Sequence, residues 1–76
     1  MMNLRYNHVA RRFDCCKDSK YITTHTCGTR FNLYCYNEDI FVVGRIEYHN
    51  LNGYYFIGDD NASVVYLYDG LKGMCE

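Results

Sequence analysis

The sequence lacks proline and tryptophan, and it has no run of about 18 apolar residues that would cross a membrane as a helix. Its first residues, MMNLRYNHVARRF, do not contain the apolar core of a secretory signal. Eight Lys and Arg nearly balance nine Asp and Glu, giving a net charge of −1. These absences predict a cytoplasmic protein without membrane partners. They also argue against broad electrostatic binding to nucleic acid.

Aromatic residues, by contrast, are abundant, with nine Tyr and four Phe among 76 residues. A chain of this length forms one domain, and we assign residues 1–76 to it, with the barrel core in residues 28–76. Such a domain buries only about 60% of the surface that its unfolded chain exposes. A metal, disulfides or self-association often supplements a core this small.

Alternation of apolar and polar residues predicts several strands. In TRFNLYCYN the predicted core face holds Phe31, Leu33 and Cys35, and the opposite face holds Arg30, Asn32, Tyr34 and Tyr36. In SVVYLYDG one face holds Val65 and Leu67, and the opposite face holds Val64, Tyr66 and Tyr68. Two shorter strands are predicted near the N-terminus, one with Leu4 and Tyr6 facing inward and one with Phe13 and Cys15 on one side.

The segment VVGRIEYHNLNGYYFIG predicts a hairpin with a bend in its first strand. In a regular strand Phe41 and Val43 would lie on one face, whereas Ile46 and Tyr48 would lie on the other. A β-bulge at Gly44 would place all four on the core side. Gly53 supplies the positive φ that the following turn needs.

In the returning strand, Tyr55 and Ile57 are predicted to face the core. Tyr54 and Phe56 then lie on the other face. We expect either another chain or the N-terminal segment, with Val9 and Phe13, to cover them. The sequence leaves both covers open.

Together these patterns predict an all-β fold. Six or so short strands, one of them strongly bent, cannot form two large stacked sheets in so short a chain. The expected architecture is a small SH3-like or OB-like barrel of five to seven short antiparallel strands.

The stretches GRIEY (44–48), GYYF (53–56) and LYDG (67–70) resemble a family of small uncharacterised SH3-like β-domains, which carry a domain-of-unknown-function label. That family is encoded in Firmicutes genomes, plasmids and phages. CGTRFNL (27–33) matches its glycine-containing turn before a strand, and the resemblance covers about residues 27–71. It implies a small β-barrel from a bacterium or its mobile element. It implies no activity, and no catalytic residue can be assigned from it.

Five cysteines are present, at positions 15, 16, 27, 35 and 75. Because their number is odd and no export signal precedes them, we expect free thiols rather than a disulfide framework. Cys15, Cys16, His25, Cys27 and Cys35 lack the Cys-x₂₋₄-Cys pairs of zinc sites, so no metal or other cofactor is predicted. Pairing of Cys27 with His25 or His49 is chemically conceivable, but so small a barrel has little room for a catalytic pocket, and we predict no enzyme activity.

Tyrosines on the face opposite the core predict a contact surface instead. Tyr is favoured at interfaces because it covers a large area with few rotatable bonds. If the two strands that carry these tyrosines are neighbours in the sheet, the tyrosines form one patch. Ordinary cross-strand pairing of exposed aromatics is the structural alternative. The proposed contact residues are Tyr34, Tyr36, Tyr66 and Tyr68, with Arg30 and Arg45 available to pair with acidic groups.

The leading functional hypothesis is therefore a non-enzymatic, self-associating protein-interaction module from a bacterium or its mobile element. One alternative is a phage-type counter-defence protein that inhibits a host protein or sequesters a nucleotide signal. The other is a single-stranded nucleic-acid-binding barrel with bases stacked on surface aromatics. For the latter, the candidate phosphate contacts are Arg5, Arg11, Arg12, Arg30 and Arg45. The acidic residues beside the aromatics oppose it.

Overall fold

The computed structural model describes residues 1–18, 20–24 and 28–75, and this part of the chain contains eight strands and no helix. It follows that no helix there is long and apolar enough to span a membrane. The strands are β1 (Met2–Asn7), β2 (Arg12–Lys17), β3 (Lys20–Thr24), β4 (Arg30–Cys35), β5 (Ile40–His49), β6 (Gly53–Gly58), β7 (Val64–Tyr66) and β8 (Lys72–Cys75). The all-β prediction is confirmed.

All eight strands belong to one antiparallel sheet with the order β3-β2-β1-β8-β4-β5-β6-β7. The sheet thus consists of two consecutive meanders, β1–β3 and β4–β7. Strand β8, the last in chain order, lies between them and pairs with β1 on one side and β4 on the other. It is therefore a central strand that joins the two meanders.

One face of the sheet, the inner face, carries the hydrophobic core. Its fully buried side chains are Leu4, Cys15, Phe31, Ile46 and Phe56. Phe13, Leu33 and Leu71 complete the core, and half-buried Tyr6, Cys35, Val65 and Leu67 pack against it. The predicted alternation is confirmed for residues 31–35 and 64–67, and for the N-terminal strands. We call the opposite side of the sheet the outer face.

The predicted barrel is wrong in two respects, because the described residues form eight strands rather than five to seven and the sheet is not closed. Strand β3 pairs only with β2, and β7 pairs only with β6, so both are edges. Strand β7 has only three residues, after which the chain leaves the sheet edge and crosses back towards β1. The two halves meet on the inner face through side chains instead, where the rings of Phe13 and Tyr54 lie 6.4 Å apart.

No bulge occurs at Gly44. Pairing runs without a register shift from β4 to β5 and from β5 to β6. Val42, Gly44 and Ile46 consequently share the inner face, while Phe41 and Val43 lie on the outer face, 45% and 46% exposed. The parity change in the sequence reflects a strand with apolar residues on both faces.

The predicted faces of β6 are also reversed. Phe56 is fully buried opposite Ile46, and Tyr54 packs against the core. Tyr55 lies on the outer face, where its ring contacts Tyr66 at 5.6 Å. Of the two covers predicted for Tyr54, the N-terminal segment contacts it through Phe13, whereas Val9 of the same segment is 96% exposed.

The register shift in this sheet lies between β2 and β3. Cys15 pairs with Thr23 and Cys16 with Tyr21, which leaves Ile22 as the extra residue. Both adjacent cysteines are buried. The expectation of free thiols is wrong for Cys15, which forms a disulfide with Cys75. Among the described cysteines, Cys16 and Cys35 are free.

Candidate functional site

Three of the four predicted contact tyrosines line one cleft. Its volume is about 160 Å³, and its lining consists of Tyr34, Tyr36, Tyr68, Gly70, Leu71 and Lys72. We call this concavity the tyrosine cleft. Tyr66 does not line it, because the Tyr66 ring packs against Tyr55 further along the outer face.

The tyrosines converge for a reason other than strand adjacency. Strands β4 and β7 are separated by β5 and β6. The chain returns after β7, and the amide of Gly70 donates to the Leu4 carbonyl at 2.8 Å. The amide of Leu4 in turn donates to the Leu71 carbonyl at 2.8 Å. This return segment brings Tyr68 from the far edge of the sheet to the side of β4.

Tyr34 is held in place within the cleft. Its hydroxyl donates to a carboxylate oxygen of Asp39 at 2.7 Å, and its ring lies 5.3 Å from that of Phe41. This hydrogen bond is the main reason why the pKa of Tyr34 is raised, and burial and the charge of Asp39 add to the effect. Tyr36, just beyond the end of β4, is by contrast 76% exposed.

Charged side chains of opposite sign flank the tyrosine cleft. Lys72 also lines a neighbouring concavity of about 450 Å³ with Tyr34 and Asn3. On the other side, Tyr34 and Tyr36 line a smaller concavity of about 250 Å³ with Glu38. The three concavities share Tyr34, so a cationic side and an anionic side meet at this ring.

Both predicted contact arginines have partners within the chain. Arg30 binds Asp59 through two parallel hydrogen bonds of 2.9 and 2.7 Å, and these bonds lower the pKa of Asp59. The Nε of Arg45 donates to Glu47 at 2.8 Å. Both lie on the outer face opposite each other in register, but their guanidinium groups are already engaged. They therefore organise this surface rather than offering free cations.

The outer face also carries an uncovered apolar area, of which the sequence pattern predicted Val64 and Tyr66 but not the other members. Its exposed members are Phe41, Val43, Val64, Tyr66 and Met74. Asn32 lies between Met74 and Val43 in register, and its side-chain oxygen is buried without a hydrogen-bond partner. A two-residue period continued through Gly44 would have identified Phe41 and Val43 as members of this face.

The cysteines and histidines considered as metal ligands can be followed only in part, because His25 and Cys27 lie outside the described residues. Within residues 1–18, 20–24 and 28–75 no three His, Cys, Asp or Glu side chains are grouped as metal ligands. His49 Nδ1 accepts a hydrogen bond from the Leu51 amide at 3.2 Å.

Comparison with known proteins identifies a family but no characterised relative. No curated protein matches the chain. No solved structure matches it either. A family match extends over residues 2–73, almost the whole chain. The chain therefore belongs to the family described as Domain of unknown function (DUF5348).

Proposed function

We propose that this chain is a non-enzymatic protein-interaction module that associates with a second copy of itself. The contact would comprise the outer face around β4, β5 and β8 together with the tyrosine cleft. The similarity to small domains of Firmicutes, plasmids and phages supports an origin in a bacterium or its mobile element. A relationship to SH3-like domains remains a prediction.

The observation that carries this proposal is the uncovered apolar area beside the cleft. Stable domains consist of at least two packed layers, because each sheet face rich in apolar residues needs a cover. Here the inner face is covered by curling of the sheet and by the return segment after β7. Phe41, Val43 and Met74 on the outer face have no such cover among the described residues. A second copy would supply the missing layer.

The distribution of charge favours a second copy over an unrelated partner. A twofold axis brings the same surface of two chains together, so every contact between unlike residues occurs twice. With the axis near Tyr34, the Lys72 side of one copy meets the Glu38 side of the other. Opposite charges are then paired at both ends of the contact, which suits an isologous interface.

Light scattering behind size-exclusion chromatography tests this proposal. We expect the wild-type chain to be a dimer. The Tyr36→Ser/Tyr68→Ser double variant should be a folded monomer, because both side chains are exposed and their removal leaves the core intact. The matched control is Tyr21→Ser, an equally exposed tyrosine on β3, which should remain a dimer. A monomeric wild type, or a dimeric double variant, would contradict the proposal.

The two other functions inferred from the sequence, a phage-type counter-defence protein and a single-strand nucleic-acid binder, remain predictions. The tyrosine cleft favours neither of them, since Lys72 is its only lining cation among the described residues and carboxylates lie beside it.

A further inference from the structure

A further concavity lies on the inner face, where the open sheet does not close. Its volume is about 330 Å³, near the lower limit of the about 300–1,000 Å³ typical of small-ligand pockets. The residues that line it come from the β1–β2 and β5–β6 hairpins and from the segment after β7. They are Tyr6, Arg11, Phe13, Tyr48, Asn52, Gly53, Tyr54 and Leu67. We call it the aromatic pocket.

Four aromatic rings form a continuous series along the aromatic pocket. The Tyr6 and Phe13 rings are 5.1 Å apart, and the Phe13 and Tyr54 rings are 6.4 Å apart. Tyr48 follows at 4.9 Å from Tyr54. Such a concentration of rings in one pocket suits a planar aromatic ligand, because stacking on aromatic side chains stabilises nucleobases by about 1–3 kcal/mol each.

Several polar groups of this pocket have no partner among the residues that the structure describes. The hydroxyls of Tyr6, Tyr48 and Tyr54 form no hydrogen bond in the described part of the protein, and the Arg11 side chain forms neither a hydrogen bond nor an ion pair there. An unpaired guanidinium beside aromatic rings provides for an anionic group, and Arg is well suited to phosphate recognition.

Arg11 is positioned by the turn between β1 and β2. Its backbone has a φ of 57°, in the left-handed region that ordinary residues seldom adopt. The Arg11 amide donates to the Asn7 carbonyl at 2.7 Å. The Asn7 side chain also accepts from the amides of Val9 and Ala10, each at 3.0 Å. These bonds fix the Arg11 backbone in the turn, and its side chain lines the pocket.

The overall charge of −1 conceals an uneven distribution. Residues 1–24 contain five Lys or Arg and two Asp, a net charge of +3. Residues 28–75 contain three Lys or Arg and six Asp or Glu, a net charge of −3. Arg11 thus belongs to a basic half of the molecule, which attracts an anionic ligand more strongly than the net charge suggests.

We propose that the aromatic pocket binds a nucleotide, with the base against its rings and the phosphate on Arg11. The same chemistry is offered by a free mononucleotide and by one exposed residue of a single strand. The proposal is independent of self-association through the outer face, because the pocket lies on the opposite side of the sheet.

Isothermal titration calorimetry at low salt tests the proposal, with the four ribonucleoside monophosphates at up to about 1 mM. Titrations with the mononucleotides and with a mixed-sequence single-stranded oligonucleotide distinguish a free nucleotide ligand from a single strand. Adenosine and inorganic phosphate serve as partial ligands, each lacking one of the two recognised groups. We expect at least one nucleotide ligand to bind, and both partial ligands to bind more weakly.

Three variants locate the binding site. Arg11→Asn removes the charge while tolerating the left-handed backbone, and it should weaken binding about tenfold or more. Tyr48→Ala should also weaken binding, since it removes a half-exposed ring of the pocket. Arg12→Asn is the matched control, because the neighbouring arginine does not line the pocket, and its affinity should stay close to that of the wild type.

Each outcome decides the proposal, provided that circular dichroism shows the variants folded. Mononucleotide binding that depends on Arg11 and Tyr48 supports a free ligand. Binding of the oligonucleotide alone, with the same dependence, supports a single strand. The proposal would be overturned if inorganic phosphate bound as tightly as the nucleotides, or if Arg11→Asn and Arg12→Asn lost equal affinity. It would also be overturned if none of the ligands bound.

Discussion

The ring of Phe56 lies over the backbone of Gly44 on the neighbouring strand. A Cβ atom at Gly44 would collide with this ring and with the carbonyl oxygen of Ile57. The same relationship recurs between Phe31 and Gly73, where strand β8 passes beneath the second large ring of the core. The two rings are 6.3 Å apart in an edge-to-face arrangement. Each glycine thus makes room for a phenylalanine in a thin core.

Replacing Gly44 with alanine should therefore destabilise the fold. The added methyl group has no space between Phe56 and the Ile57 carbonyl, so the strand or the ring must shift. Overpacking of this kind costs about 1–3 kcal/mol. Urea unfolding followed by circular dichroism measures the change. Val9→Ala, at a position that is 96% exposed, is the control and should change the unfolding free energy by less. Equal effects of the two substitutions would refute the ring-over-glycine explanation.

Loss of the Cys15–Cys75 disulfide should lower the unfolding free energy by about 2–4 kcal/mol, because it joins residues 60 positions apart and restricts the unfolded chain. Denaturant curves with and without reductant measure this loss. Reductant should destabilise the wild type but leave Cys75→Ser unchanged. Alkylation of the unfolded, non-reduced chain should modify two cysteines fewer than after reduction. Equal numbers of alkylated cysteines would show that the disulfide does not form.

Acid should destabilise the domain through two consecutive carboxylates after β6. Hydrogen bonds from Arg30 lower the pKa of Asp59, and those from the amides of Ala62 and Ser63 lower the pKa of Asp60. A carboxyl whose pKa is lowered on folding stabilises the fold while it is ionised. This contribution is complete above the ordinary pKa of 3.8 and disappears as the pH falls through the lower folded-state value.

Unfolding free energies between about pH 5 and pH 2 measure the acid effect. Asp59→Asn/Asp60→Asn should reduce the dependence on pH in this range, although the variant is less stable at neutral pH. The control is Asp18→Asn, since that carboxylate forms no hydrogen bond or ion pair within the described residues. An unchanged acid slope in the double variant would contradict the assignment.

Ending the chain after Leu71 should abolish cooperative unfolding. The truncation removes β8, the only strand between β1 and β4, so the two meanders lose their shared neighbour. Full-length Cys75→Ser is the matched control, because it lacks the disulfide but keeps the strand. We expect a sigmoidal urea transition for that variant and none for the truncated chain. A cooperative transition in both would show that the meanders pack without β8.

Much of the inner face could be predicted from the sequence, because alternation is a local property. Phe31 and Leu33 are separated by polar or amphipathic residues, and Val65 and Leu67 by a tyrosine. In each case the apolar set has only one plausible face. The positive φ at Gly53 was equally predictable, since a tight turn requires it.

The faces of β5 and β6 could not be predicted in the same way, because both sides of these strands carry apolar residues. The choice depends on which ring fills the space above Gly44, and that space exists only after β5 and β6 pair. Phe56 lies opposite Ile46 and its ring fills the space above Gly44, so Tyr55 lies on the outer face. Register between strands is a non-local property.

The tyrosine cleft depends both on local alternation and on non-local contacts. Tyr34 and Tyr68 were correctly placed off the core face by alternation. Their approach, however, results from the return segment after β7 and not from neighbouring strands. The position of β8 in the middle of the sheet likewise depends on pairings between residues more than 40 positions apart, such as Phe31 with Cys75.

The central position of β8 also determines when folding can finish during synthesis. Until residues 72–75 have left the ribosome, β1 and β4 both present unpaired strand edges, although every other strand has already been made. Such edges pair readily with strands from other chains. Two copies that meet before β8 has emerged therefore expose the same unpaired edges, and the arrival of β8 is the step that completes the sheet of each copy.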